Sequence, residues 1–223
     1  TTTIDCNFKG VVIAGAGGEG AQEFAEDAGW PLFAEPSSGS RFGSNLIENY
    51  SEFLKDRIKE IQKVVVFGKP TLNRSVVKLI ESMPEIIVVA SRYGPFDIAD
   101  NAVQVESASA SGKAEGDWLQ SWQQPRSAND SIRESVVTKI WDRTEAEDSV
   151  YLGASKMIRV ADLAAPSKDI SVFSNRGLAG IDGSISTAIG IAMKTKGMTR
   201  AIIGDLTAIH DLGGMNLTEL SLP

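Results

Sequence analysis

The 223-residue chain is 42% hydrophobic and 23% charged, the composition of a soluble globular protein with length for one large domain or two small ones. A net charge of −7 and an isoelectric point near 4.9 argue against nucleic-acid or anionic-membrane partners, both of which need a basic face. Apolar runs such as Ile86–Ala90 fall far short of a bilayer span. The single cysteine, Cys6, excludes an intrachain disulfide and fits a reducing, cytoplasmic compartment. Lys9 is followed only by Val11–Ala14 before a glycine cluster, which is no secretory signal.

Short β-branched runs alternate with helical patterns along the chain. Val11–Ala14, Val64–Gly68, Ile86–Ala90 and Ala102–Val105 predict buried strands, with Pro31–Glu35 a weaker example. Leu46, Ile47, Tyr50, Phe53, Leu54, Ile58 and Ile61 recur at helical spacing and predict one helix of about four to five turns. Asn73 is placed to cap a second helix through Val76, Val77 and Ile80, which Pro84 closes. Strand, helix and strand at these lengths mean crossover units on a parallel sheet. Ser107–Gly116 and Gln123–Ser131 then read as a domain edge running into a linker. The second block predicts a helix capped by Asp130, strand Val150–Gly153, a helix through Met157–Leu163, strand Ile170–Asn175, helix Ser184–Met193, strand Arg200–Asp205 and a helix from Thr207 to Gly213. The ten residues from Gly214 to Pro223 show no clear ending, and three strands are few for such a sheet, so the second domain looks cut short.

Open parallel sheets bind ligands beyond the carboxyl ends of their strands, which singles out five segments. Gly15–Gly20 follows a strand, as a dinucleotide loop would, and Glu35 fits loosely as the acidic ribose contact; a tight turn that binds nothing is the favoured reading. Gly68–Arg74 puts Arg74 in a first helical turn, where it either reaches an anion or is a solvated surface side chain. In Gly153–Arg159, Ser155 is a helix cap and Arg159 lies one turn later, an arrangement for either a carboxylate clamp or an ordinary cap with a surface arginine. Ser174–Gly183 is a glycine-rich loop carrying Arg176, with Ile181 as an exposed apolar wedge, ahead of a helix of small residues. Gly204-Asp205-Leu206-Thr207 offers a carboxylate for Mg²⁺ beside a helix start, or a plain capping aspartate. His210 is read as structural.

Taken in order, GASKMIR, SNRGLAGIDGSISTAIG and GDLTAIHDLGG resemble the thiamine-diphosphate-dependent 2-succinyl-5-enolpyruvyl-6-hydroxy-3-cyclohexene-1-carboxylate synthases of menaquinone biosynthesis. The first block is similar to the family's central domain, including AEPSS at Ala34–Ser38. The resemblance implies an α/β fold: a three-layer Rossmann-like parallel-sheet domain over 1–128 and an incomplete thiamine-diphosphate-binding domain over 129–223. It implies a transferase, a carboligase and decarboxylase, that decarboxylates 2-oxoglutarate and adds the succinic semialdehyde unit to isochorismate, using thiamine diphosphate (thiamine pyrophosphate) and Mg²⁺ or Mn²⁺. By motif, Asp205 is implied as the metal ligand, with Gly204, Leu206 and Thr207 around the diphosphate and Ile181 under the cofactor rings. Ser155, Arg159, Arg176 and, less securely, Arg74 are implied as substrate-carboxylate contacts, Arg159 and Arg176 as catalytic. The family works as a cytoplasmic homodimer or homotetramer with no nucleic-acid partner and no membrane insertion. Its pyrimidine-binding domain and the asparagine that completes its metal site, expected beyond Asn216, fall outside this sequence, so the stretch alone is expected to be inactive. Two rival readings are a nucleotide-binding module built on Gly15–Gly20 and a non-catalytic assembly module that packs through Ser184–Ala192.

Overall fold

A continuous apolar strand is stable only where both its faces are covered, and Val11–Ala14 and Val64–Phe67 meet that condition in a parallel α/β arrangement. The computed structural model describes residues 1–124 and 131–216. By its internal packing the chain divides into two units, Thr1–Ala128 and Asn129–Pro223.

In the first unit the elements run β1 (Thr2–Asp5), β2 (Gly10–Ala14), α1 (Ala21–Ala28), β3 (Leu32–Ala34), α2 (Tyr50–Arg57), β4 (Lys63–Phe67), α3 (Arg74–Ser82), β5 (Ile86–Val89), β6 (Ala102–Val105) and β7 (Ala108–Ser111). Five of the strands form a parallel sheet ordered β3-β2-β4-β5-β6. Because β2 leads to β3 on one side while β3 leads back past β2 to β4, right-handed crossovers put α1 on one face and α2 with α3 on the other. In keeping with this, α2 packs on α3. Val11–Ala14, Val64–Val66, Trp30, Phe33, Leu54 and Leu79 are buried in the core between the layers. Asn73 caps α3 as expected, its Oδ1 accepting from the Ser75 amide at 2.8 Å, and the helix stops two residues before Pro84.

Three expectations for this unit are corrected. The helix expected from Leu46 begins at Tyr50 and ends at Arg57, followed by a 3₁₀ turn over Ile58–Glu60. Leu46 and Ile47 run along β3 instead, where the Leu32 amide donates to Asn45 O and the Ile47 amide to Leu32 O, so their backbone is committed to an extended pairing. Ala102–Val105 is a strand but not a buried one: it closes the sheet as an edge, and Val103 is 44% exposed. The Ser107–Gly116 stretch is no linker. Its β7 pairs with β1 in a separate two-stranded parallel ladder, and Trp118 and Trp122 beyond it are buried. Arg57 stacks over the Trp122 ring at 4.0 Å and donates to Ser121 O at 2.9 Å, which fastens this segment to the end of α2.

The second unit holds α4 (Ile132–Asp142), β8 (Ser149–Leu152), α5 (Lys156–Ala164), β9 (Ser171–Phe173), α6 (Ser184–Ala192), β10 (Thr199–Ile202) and α7 (Asp205–His210), followed by a 3₁₀ turn over Leu212–Met215. Its three parallel strands are ordered β10-β8-β9. The expected cap Asp130 lies outside the described residues; Ser131 caps α4, accepting from the Glu134 amide at 3.3 Å. Among the described residues, no helix is long and apolar enough to cross a membrane.

Candidate functional site

Both sheets reverse their winding at one place, and there the carboxyl ends of two neighbouring strands leave a crevice that helices do not cover. In the first unit the reversal lies between β2 and β4, which puts Gly15–Gly20 opposite Gly68–Arg74. In the second it lies between β8 and β10, which puts Gly153–Arg159 opposite Gly204–Thr207, with Ser174–Gly183 one strand further along the same edge.

The first crevice is filled by the protein itself. Ala16 and Lys69 exchange backbone hydrogen bonds at 3.1 and 3.0 Å. A Cβ on Gly15 would stand 2.1 Å from the Lys69 carbonyl carbon, so the glycine is there to admit another stretch of chain. Glu35, 2% exposed, turns inward and accepts from the amides of Thr71 at 2.5 Å and Leu72 at 2.7 Å. It is thereby taken from the ribose-binding role that a dinucleotide reading would give it, since its oxygens already satisfy the amides that an anion would occupy. Arg74 begins α3 as an exposed side chain with no hydrogen bond or ion pair among the described residues.

The second crevice is built differently. Gly153 donates to Ile202 O at 2.9 Å, which draws the two strand ends together, while beyond them Ser155, Arg159, Asp205 and Leu206 are all exposed. Ser155 occupies the cap position of α5 with φ 152°, a backbone state that an L side chain rarely adopts. Its hydroxyl makes no cap bond, contrary to expectation, because this backbone is far from the β-region geometry that aims a cap oxygen into the first turn. The Ser155 carbonyl instead receives Arg159 Nη1 at 3.0 Å, which holds the guanidinium one turn along on the same side. Arg176 is half-buried in the loop after β9. Further along that loop, Leu178 is fully exposed, Ala179 has φ 54°, and Ile181 is half-buried rather than an exposed wedge. The Ser184 hydroxyl donates to Ile181 O at 2.9 Å, which ties the end of the loop to the first turn of α6.

Asp205 opens α7 and accepts the Leu206 amide on Oδ1 at 2.9 Å, while Thr207 is buried and a Cβ on Gly204 would meet only the Thr207 hydroxyl, at 3.9 Å. Among the described residues no group of three His, Cys, Asp or Glu side chains forms a metal cage. One exposed carboxylate with an uncommitted Oδ2, beside an unobstructed glycine, fits an ion that brings phosphate and water oxygens with it rather than a closed protein cage.

Residue spacing gave no warning of the contacts that tie this edge together. Asp211 Oδ2 accepts the Ile185 amide at 2.6 Å and the Ser186 amide at 3.4 Å, capping α6 from 26 residues away. His210 Nδ1 lies 3.3 Å from Asp182 Oδ1. Behind them, burial pushes the Tyr151 phenol above its ordinary range, the Ser184 hydroxyl opposing the shift and the Asp211 charge adding to it. The only sequence signal was the acidic residue next to His210, and a remote cap has no fixed spacing by which to recognise it.

Fold and site together define a doubly wound parallel α/β protein with an arginine-bearing and carboxylate-bearing crevice at the winding reversal of its second sheet. No protein-family model matches the chain. It is 37% identical over 230 residues to the 2-succinyl-5-enolpyruvyl-6-hydroxy-3-cyclohexene-1-carboxylate synthase of Renibacterium salmoninarum, a match covering 94% of this chain and 41% of that protein. The synthases of the same name from Leifsonia xyli and an Arthrobacter species are 35% and 36% identical, over 92% and 93% of this chain and 45% and 39% of theirs. The chain belongs to this synthase family, and it spans about two-fifths of the length of the curated relatives it matches.

Proposed function

We propose that the chain supplies the substrate-carboxylate and diphosphate contacts of a thiamine-diphosphate- and Mg²⁺-dependent synthase of menaquinone biosynthesis, which decarboxylates 2-oxoglutarate and adds the resulting four-carbon unit to isochorismate. The observation that supports this most is that Ser155–Arg159, Arg176 and Gly204–Thr207 leave the same edge of one parallel sheet, in a chain 37% identical to such a synthase. Both substrates are carboxylates, and an arginine fork is the side chain best suited to orient them. Arg159, braced on the Ser155 carbonyl, offers its remaining donors to one carboxylate, and Arg176, in the loop after the neighbouring strand, supplies a second positive group on the same sheet edge. Asp205 would hold Mg²⁺ through its uncommitted oxygen, with Gly204, Leu206 and Thr207 lining the diphosphate and Ile181 carrying the rings. When bound, thiamine diphosphate supplies the carbon nucleophile that takes up the 2-oxo carbon and the electron pair left as CO₂ departs. The chain's own residues would hold the carboxylates and neutralise their charge. The same reading makes the protein a cytoplasmic homodimer or homotetramer.

The test is a hybrid in which this chain replaces the matched segment of the Renibacterium salmoninarum synthase, assayed for CO₂ release from 2-oxoglutarate with isochorismate present. Turnover is expected, with Arg159→Ala raising KM for 2-oxoglutarate about ten- to a hundredfold through loss of charge-assisted hydrogen bonds. Asp205→Asn is expected to abolish Mg²⁺-dependent cofactor binding. A hybrid that folds but is indifferent to both substitutions removes the proposal.

A further inference from the structure

The cap position of α6 is Gly183, a left-handed residue with φ 66° and no side chain, so the helix has no cap of its own in sequence. Within the protein, Asp211 caps the helix's first amides instead: Oδ2 accepts from Ile185 and Ser186. The following turn presses on the same place: a Cβ on Gly214 would stand 2.9 Å from Ser186 Oγ and 3.2 Å from Ile185 Cβ, closer than ordinary van der Waals contact. The 3.3 Å approach of His210 to Asp182 adds a link just ahead of α6. Residues 210–214 are thus bound to residues 182–186 at several points. Ile181 directly precedes this bound segment. Asp205 stands at the other end of α7, whose six residues span about 9 Å.

We infer that Asp211 is a positioning residue: by capping α6 from the far end of α7, it fixes the loop that carries Ile181 at a set distance from the Asp205 carboxylate. The loop itself is glycine-rich from Gly177 to Gly183 and would otherwise sample many backbone states. The relevance of that distance to catalysis rests on the thiamine-diphosphate reading above. The tie itself does not, and the two are tested separately.

In the 223-residue chain without cofactor, Asp211→Ala is expected to speed amide exchange at Ile185 and Ser186 roughly five- to thirtyfold, the range set by loss of a helix cap, and to speed exchange across Gly180–Gly183 with it. Asp211→Asn keeps a capping oxygen and is expected to restore most of the protection. In the hybrid, Asp211→Ala is expected to weaken thiamine diphosphate binding in Mg²⁺ by about tenfold, with the Asn variant within about threefold of wild type. Asp205→Asn is the control that weakens cofactor binding while leaving Ile185 and Ser186 protected. Unchanged exchange in Asp211→Ala overturns the tie. Faster exchange with unchanged affinity overturns its role in setting the site. A wild-type hybrid that binds no thiamine diphosphate overturns the proposed function, and the exchange result still decides whether Asp211 holds the loop.

Discussion

The crevice between β2 and β4 and the crevice between β8 and β10 have the same topological origin, and they are finished in opposite ways. In the first, glycines admit a neighbouring stretch of backbone and an internal carboxylate occupies the amides. In the second, Gly153 packs closely against Ile203 but Gly204 leaves room, and the charged side chains at the strand ends are exposed. Topology therefore says where a ligand would sit, and the contents of the crevice say whether there is space for one. A glycine-rich strand-to-helix turn means close approach, and in the first crevice the approaching group is protein.

Four measurements would break or sharpen this contrast, beginning with the largest effect. Gly15→Ala places a methyl 2.1 Å from the Lys69 carbonyl carbon and is expected to cost about 4 kcal/mol in urea unfolding; a loss below about 1 kcal/mol would mean the first crevice is looser than described. Glu35→Ala removes the buried carboxylate that accepts from the half-buried amides of Thr71 and Leu72 and should cost about 1–3 kcal/mol by the same assay.

The third concerns the amino ends of the strands that flank the second crevice. Asp148 accepts from the Glu145 and Met198 amides at 3.0 and 2.7 Å and from Arg200 at 2.5 Å, and these contacts hold its pKa at about 2, below the usual 3.8. A carboxylate with a lower pKa folded than unfolded stabilises the protein above its unfolded pKa, and that stabilisation is lost as pH falls through the folded value. The unfolding midpoint of the wild type is thus expected to fall between pH 4 and pH 2 more steeply than that of Asp148→Asn; parallel profiles would show that the carboxylate does not hold β8 to β10. The smallest effect is expected from Gly204→Ala. With φ −77° and nothing nearer than 3.9 Å, it should change stability by less than about 0.5 kcal/mol, in contrast to Gly15.

The strands that sequence located well are those whose β-branched runs are covered on both faces, such as Val64–Val66 and Ile86–Val89. β1 and β7 escaped because Thr, Ser and Ala neither form an apolar run nor alternate with one, and their pairing joins residues more than a hundred positions apart. The overlong helix from Leu46 arose because an apolar residue four positions before a helix satisfies the helical spacing whether it is helical or paired with β3. In the site, the segments at the strand ends were legible from glycines and charges next to apolar runs. Whether a crevice is closed was not, because that depends on which distant backbone reaches it. The Asp211 cap was invisible for the same reason.

The ladder between β1 and β7 has a consequence for how the molecule is made. Thr2–Asp5 finds its partner only in Ala108–Ser111, and the Gly10 carbonyl waits for the Trp118 indole, 108 residues away, to donate to it at 2.8 Å. During synthesis Thr2–Asp5 must remain unpaired until Ala108–Ser111 has left the ribosome. Closure of that unit is then a late, long-range step, slow by loop-closure entropy, and the interval before it is when the nascent chain is most open to chaperones and to mispairing.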